Sequence, residues 1–369
     1  MTSQQSRTFF VLLAGYCLIG GRPARAQGTD PAVLESGYRR VVELWASGDA
    51  ARAVDELVRF ESAAISDQDP GTRERLHKAE QRVISEVAGA DLESLVPLSL
   101  LHQEGYRYYA EHGGKGAAQV ATHDRSLAQD LALLYRQHVG TEAAAELASH
   151  LVTRLASLVT DSLQAARLFE LAKEFDPRNA PASLGLATVF EKNGNYVDAA
   201  DALRRVLELE PKNPEGRLRL ALCLSRMDKT SEARKLLTDL VAAPAVAWIG
   251  LLATEELARL ELDDQKPERA EKVLRAGLGR YPTSARLVVE LAAALDGKGA
   301  FQEARSVLER LPEIAAEPQE DSRYRYNRLS EELFAEADQA VAAAGRDRLP
   351  VLARSLVPPP APAQEGVAK

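Results

Sequence analysis

Apolar residues recur at the helical period through the middle of this chain. In the second half of segment 181–211 they fall at steps of 3, 1, 3, 3 and 1, which places them on one face of a helix. Gly194 and Asn195 form a turn before that helix, and Pro211 ends it. Pro181 stands where the first turn of a helix tolerates proline. The segment is therefore predicted to be two helices joined by a tight turn.

The predicted helix pair repeats along the chain. Small residues recur every 34 positions, with one step of 37, and a large apolar residue follows each of them four positions later. The small residues are Ala165, Ala199, Ala233, Ala270 and Ala304, and the large ones are Phe169, Leu203, Leu237, Leu274 and Leu308. Small residues let neighbouring helices approach closely. A repeat of this length indicates a stack of helix pairs that share one continuous core.

Seven positions of segment 181–211 resemble the tetratricopeptide repeat family: Leu186, Ala187, Phe190, Ala199, Leu203, Val206 and Pro211. The resemblance implies an all-α, right-handed superhelical solenoid of helix-turn-helix repeats. Five tandem units are predicted over 146–318, at 146–179, 180–213, 214–247, 251–284 and 285–318. The fourth unit fits least well, because Glu261 stands where a large apolar residue is expected.

The flanking regions follow the pattern less regularly. Residues 27–145 are predicted to be helical, with a diverged repeat unit at 34–67 and further hairpins of the same solenoid after it. A charged helix over 319–346 is expected to cap the last repeat with a polar outer face. The proline-rich end, 347–369, is expected to be a disordered tail.

The first 26 residues are typical of a secretory signal peptide. Arg7 precedes an uncharged apolar run from Phe9 to Ile19, and small residues stand before a predicted cleavage site after Ala26. The run is shorter than the ~20 residues that span a bilayer. We therefore expect export through the inner membrane of a bacterium, cleavage near Ala26, a periplasmic or secreted protein and no membrane span after cleavage. The alternative is that the segment is retained as an anchor.

Composition narrows the classes of function. Acidic residues outnumber Lys and Arg by 54 to 46, so the chain lacks the basic excess of nucleic-acid binders. Catalytic and nucleotide-binding motifs such as HExxH, GxSxG, GxGxxG and the P-loop are absent from the sequence. Once the signal peptide is removed, Cys223 is the remaining cysteine, and its helical setting predicts a buried small hydrophobic residue.

Five of the six histidines lie close together in sequence, at positions 102, 112, 123, 138 and 150. None of these pairs has the i, i+4 spacing that places two ligands on one helix face. We therefore predict no metal, no cofactor and no catalytic residue, with the histidines scattered over the surface. One alternative is an enzyme or a metal-dependent binder built from the His- and Tyr-rich region 102–150.

In tetratricopeptide arrays the first helix of each unit lines the concave groove. The resemblance places eight residues there: Arg154, Leu184, Thr188, Glu191, Leu218, Leu222, Glu255 and Arg259. The Lys and Asn of the family's carboxylate clamp are replaced by leucines and Thr188, which favours a groove for an amphipathic helix or an apolar peptide. Alternatively, some of these leucines are buried between helices.

These features predict a non-enzymatic interaction scaffold or assembly factor of the bacterial cell envelope, with a protein or peptide partner. A structural spacer without a specific ligand is the other alternative.

Overall fold

The computed structural model describes residues 30–65, 70–113, 116–316, 339 and 341–356. Over these residues the secondary structure is helical, without a β-strand. The helices are α1 Pro31–Ala46, α2 Ala50–Ile65, α3 Pro70–Ala90, α4 Leu95–His112, α5 Ala117–Val139, α6 Glu142–Leu158, α7 Ser162–Phe175, α8 Ala180–Lys192, α9 Tyr196–Leu209, α10 Pro214–Arg226, α11 Thr230–Ala242, α12 Ala247–Asp263, α13 Pro267–Arg280, α14 Ala285–Gly297, α15 Phe301–Glu309, α16 Leu311–Ala316 and α17 at 341–355. The predicted all-α solenoid of helix-turn-helix repeats is confirmed.

The repeat array comprises α6 to α15, in which each helix packs against the next and first helices of neighbouring pairs also touch. The small residues sit at the crossings as predicted: Ala199, Ala233 and Ala270 are fully buried. Leu203, Leu237 and Leu274, four residues later, are also fully buried, whereas Leu308 in the last pair is 42% exposed. Burial of these rows forms the continuous core that one pair alone lacks.

The turn inside four of the five pairs requires a left-handed backbone. Gly194 and Gly299 have φ of 72° and 75°, and Asp228 and Gln265 take the equivalent places with φ of 57° and 55°. Glycine adopts this conformation freely, while a residue with a Cβ is strained by roughly 1–2 kcal/mol. The turns at Asp228 and Gln265 are therefore strained by their backbone conformation.

Helices α1 to α5 and α17 form what we call the N-terminal block. Its first hairpin, α1 with α2, lies where the diverged unit was expected, and α3 packs on α1. Helices α4 and α5 are longer than those of the array and pair tightly with each other. Trp45 on α1 donates a hydrogen bond to the carbonyl of Pro97 on α4 at 2.8 Å, tying the hairpin to the longer helices.

The C-terminal helix α17 packs on the N-terminal block. Val341 and Leu352 are buried in the core that α4 and α5 share with the first repeats. Gly345 lies so close to Leu100 that an added Cβ would overlap that side chain, and Arg348 pairs with Glu93 at 3.1 Å. Helix α17 therefore brings the C-terminal end of the described chain into contact with the N-terminal block.

This arrangement corrects two predictions. In the described end of the predicted capping helix, 341–346, Val341 is buried in the core of the N-terminal block and Gly345 lies against Leu100, where packing on the last repeat was expected. The predicted disordered tail is helical from 347 to 355. We expected disorder because of the prolines, but an apolar stripe at helical spacing packs this segment on the core. It is formed by Leu349, Leu352, Ala353 and Leu356. Most of 319–340, residues 357–369 and the predicted signal peptide lie outside the described residues.

In the described part of the chain, no helix combines the length and the apolar character needed to cross a membrane.

Candidate functional site

The predicted groove residues divide into buried and accessible groups. Leu184 and Leu218 are core residues, packed against helices of the neighbouring pairs. Thr188, Glu191 and Leu222 are half-buried. The prediction of a groove floored by leucine is therefore wrong for Leu184 and Leu218, because each first helix is enclosed by the preceding and following pairs.

Arg154 is also buried and connects the array to the N-terminal block. Its guanidinium donates to the side-chain oxygen of Gln103 at 2.9 Å and to a carboxylate oxygen of Glu104 at 2.5 Å, both on α4. Two directed hydrogen bonds to an adjacent helix fix the orientation of α6 against α4. We assign Arg154 to this junction and remove it from the groove.

Glu191 takes part in a polar network between α8 and α10. Arg219 pairs with Glu191 at 2.9 Å and with Glu215 at 3.2 Å, and it donates to the hydroxyl of Thr188 at 2.6 Å. The thiol of Cys223 lies 3.5 Å from Glu191. Burial, together with the charge of Glu191, raises the pKa of Cys223 well above its usual range. The predicted burial of Cys223 is confirmed.

Helix α12 carries three buried glutamates, each paired with an arginine. Glu255 is one of them, so its predicted place in the groove is wrong. Glu255 lies 3.5 Å from Arg286, Glu256 lies 2.7 Å from Arg259, and Glu261 lies 2.7 Å from Arg234. Glu261 occupies the place where the sequence led us to expect an apolar residue. Its carboxylate accepts from Arg234, which also pairs with Asp264. The carboxylate is thus neutralised by an arginine of the preceding pair.

The accessible side of the first helices is consequently mixed and polar. Arg259 and Arg286 have side chains that are 40% and 47% exposed. Val289 on α14 is 48% exposed. Leu222 adds a partly accessible apolar group on α10. We call this row, with Thr188 and Glu191, the groove surface.

Folding brings two of the clustered histidines together with a third from outside region 102–150. His102, on α4, is fully buried, His123, on α5, is half-buried, and His77, on α3, is exposed. The ring of His112 stacks on Tyr108 at the surface, and His138 is exposed too. The prediction of scattered surface histidines is therefore wrong for His102 and His123.

His102 lies in a fully buried polar triad with Glu61 on α2 and Asp124 on α5. Its Nδ1 is 2.6 Å from an oxygen of Asp124 and 3.8 Å from an oxygen of Glu61. Its Nε2 is 2.9 Å from the hydroxyl of buried Tyr38. Burial, together with the charges of Asp124 and Glu80, raises the pKa of Glu61 well above its usual range.

A second triad adjoins the first. His123, the residue before Asp124, has its Nε2 2.7 Å from an oxygen of buried Glu80 on α3. The rings of His77 and His123 meet edge to face, with centroids 6.1 Å apart. Burial opposes protonation of His123, but the hydrogen bond to Glu80 and its charge outweigh that effect and raise the pKa of His123. The charge of Glu80 also raises the pKa of Glu61.

Sequence reasoning missed these triads. The ligand types come from four helices, α2 to α5, so no short motif contains them. One local signal was present: His77 and Glu80 stand three residues apart and so share a helix face.

Sequence comparison with known families identifies the repeats. Tetratricopeptide repeat families match residues 160–214, 190–253 and 261–326. No curated protein matches the chain.

Several solved structures are similar to part of this chain at low sequence identity. A MamA protein is 19% identical, with 47% of this chain and 92% of MamA covered and a TM-score of 0.43. MamA from Desulfovibrio magneticus RS-1 is 18% identical, over 42% of this chain and 87% of that one, with a TM-score of 0.38. PilF from Pseudomonas aeruginosa is 19% identical, over 56% and 91%, with a TM-score of 0.40. Residues 160–253 and 261–326 are thus similar in sequence to tetratricopeptide repeats.

Proposed function

We propose that this protein is a non-enzymatic scaffold that binds a segment of another protein along its groove surface. The observation that carries the proposal is the tandem array itself, matched to tetratricopeptide repeats over 160–326. Each pair adds one strip of side chains to a continuous surface, and a surface of that length suits an extended or helical peptide. Scaffold families of the tetratricopeptide type are generally non-enzymatic.

The groove surface suits a polar or amphipathic segment better than a wholly apolar one. Two partly exposed arginines, Arg259 and Arg286, lie above buried glutamates and can offer donors to a ligand. Apolar contact is confined to Leu222 and Val289. This revises the apolar floor expected from the sequence.

A matched pair of substitutions tests the groove. Val289→Lys places a charge on a first helix, and Val197→Lys places the same charge on α9, a second helix. The two valines are 48% and 56% exposed, so both variants keep the fold. Capture of partner proteins from a cell-envelope extract should fall about tenfold or more for Val289→Lys and stay unchanged for Val197→Lys.

Equal capture by Val289→Lys, Val197→Lys and wild type would place binding elsewhere. Absence of any captured protein would favour a structural spacer.

We further propose that the protein is an assembly factor exported to the bacterial envelope, in the periplasm or outside the cell. The supporting observation is the signal-peptide pattern of residues 1–26. N-terminal sequencing of the mature protein should begin at or near Gln27. An intact Met1 in a cytoplasmic fraction would contradict export, and an intact Met1 in the membrane fraction would indicate a retained anchor.

A further inference from the structure

The geometry points to a metal centre inside the N-terminal block. We propose that the triads Glu61–His102–Asp124 and His77–Glu80–His123 bind divalent first-row transition-metal ions, up to one ion in each. The six residues project from four helices, α2 to α5. This site is separate from the groove surface and does not depend on the scaffold role.

The donor set defines the class of metal. Three imidazoles and three carboxylates supply only nitrogen and oxygen, a combination that suits manganese, iron, cobalt, nickel or zinc. Calcium and magnesium prefer oxygen ligands alone. Cys223 lies on α10 in the repeat array, so thiolate is no part of this set.

The ligand atoms of each triad already lie so close together that metal binding requires little rearrangement of the side chains. Within each triad, one ligand atom of every residue lies within 4.8 Å of the others. Bonds of about 2.1 Å at a tetrahedral metal place two ligands about 3.4 Å apart. Small rotations of the side chains therefore close each triad around an ion.

Unpartnered carboxylate oxygens are the second, independent observation. Glu61 is fully buried beside the carboxyl group of Asp124, and no hydrogen-bond donor of another group reaches either of its oxygens. The same holds for one oxygen of Glu80 and one of Asp124. Among the described residues, the ion pairs of these three carboxylates are all with histidine rings. A buried oxygen without a donor is costly. A divalent cation would satisfy several such oxygens at once.

The surroundings of His102 supply the outer contact that metal-binding histidines usually have. When Nδ1 binds an ion, Nε2 carries the proton and can donate it to the hydroxyl of Tyr38, 2.9 Å away. Tyr38 is fully buried, so its hydroxyl is held in place against the ring of His102.

The outer triad provides an entry path. His77 is exposed and His123 is half-buried, while the inner triad is sealed. An ion arriving from solvent meets His77 first and the buried carboxylates afterwards.

The alternative is a purely structural network of hydrogen bonds and protonated groups. Full-length protein is treated with EDTA, freed of the chelator and dialysed separately against Mn²⁺, Co²⁺ and Zn²⁺, and bound metal is measured by mass spectrometry. We expect one or two ions per chain for at least one metal, visible absorption bands in the cobalt form and a higher thermal midpoint. No stoichiometric binding of any of the three metals would overturn the proposal.

Two substitutions that spare the fold complete the test. Glu61→Gln replaces a carboxyl ligand by an amide of the same shape. It should lower the metal affinity of the inner triad about 100-fold or more, while the metal-free protein keeps a stability close to that of wild type. His77→Ala changes an exposed residue and should abolish binding in the outer triad. His138→Ala, at another exposed helical histidine, is the control and should bind like wild type. Metal binding with wild-type affinity and stoichiometry in both Glu61→Gln and His77→Ala would overturn the proposal.

Discussion

The N-terminal block and the repeat array surround their buried carboxylates with different ion-pair partners. In the array, Glu255, Glu256 and Glu261 are buried and each has an arginine within 3.5 Å. In the block, Glu61 and Glu80 are at least as deeply buried, and their ion-pair partners among the described residues are histidines. An arginine is charged at any pH of interest, whereas an imidazole is neutral in much of the physiological range.

This difference separates buried charges that the fold itself compensates from buried charges that a proton or a bound cation would compensate. A buried carboxylate beside arginine is compensated within the fold, and neighbouring pairs of the array provide the arginine. A buried carboxylate beside an imidazole is compensated when a proton or a cation arrives, and the raised pKa of His123 favours the proton beside Glu80. Each region also contains one tryptophan, Trp45 in the block and Trp248 in the array, so the fluorescence of single-tryptophan variants reports on each region separately.

The strongest challenge to the array is Leu218→Glu. Leu218 is fully buried in a hydrophobic core cluster, so the new carboxylate would be surrounded by apolar side chains. We expect a loss of roughly 4 kcal/mol or more in the free energy of unfolding. Trp248 fluorescence and helical content by circular dichroism measure it. If Leu218→Glu unfolds no more easily than Val289→Lys, Leu218 belongs to the groove surface after all.

The C-terminal helix tests whether the block is independent of the array. Leu352→Ala should destabilise the block by about 2–5 kcal/mol, because Leu352 is fully buried against it. Leu308→Ala, at a residue that is 42% exposed on the last repeat, should change stability by about 0.5 kcal/mol or less. Urea titration followed through Trp45 separates the two. An effect of Leu352→Ala seen through Trp248 alone would restore the predicted capping of the last repeat.

The alanine row tests the packing of the array. Ala199→Leu adds volume at a fully buried crossing and should cost about 1–3 kcal/mol. Ala293→Leu adds the same volume at an exposed position of α14 and should be close to neutral. The thermal midpoints of the two variants provide the measurement, and equal midpoints would contradict the packing role of the alanines.

Replacing one buried carboxyl group in each region by an amide compares directly how the two regions stabilise such groups. Glu261→Gln deprives Arg234 of a close partner and should cost about 1–3 kcal/mol. Glu61→Gln in metal-free protein should change the free energy of unfolding little or stabilise, because the raised pKa of Glu61 keeps its buried carboxyl group neutral, as the amide is. Denaturant titrations of both variants at neutral pH measure the two signs. Destabilisation of both would mean that Glu61 is compensated within the fold.

The smallest effect is expected at Cys223. Its buried thiol, with a pKa raised by burial and by Glu191, should resist alkylation in the native array and react fully in denaturant. Mass spectrometry after iodoacetamide treatment, with and without guanidinium, checks this. Rapid labelling of the native protein would show that α10 opens readily.

The array could be predicted from sequence because its contacts are local. Ala199 and Leu203 recur in phase with their equivalents, and a repeat fold places each equivalent in the same surroundings. Burial of Leu184 and Leu218 could not be decided, since it depends on how closely successive pairs stack. The triads were invisible for a related reason: Glu61, His102 and Asp124 come from separate helices whose packing follows no period.

The returning helix α17 also has a consequence for the order in which the protein is completed. Synthesis proceeds from the N-terminus at about 5–20 residues per second, and each hairpin of the array needs only its neighbours in order to form. Helices α4 and α5 are made early, yet Leu100 and Glu93 receive their covering contacts only when 341–356 arrives. The first region to be made is thus the last to be finished. A product that stops after residue 316 would carry a complete array and an uncovered apolar surface, the feature by which chaperones and proteases distinguish unfinished chains.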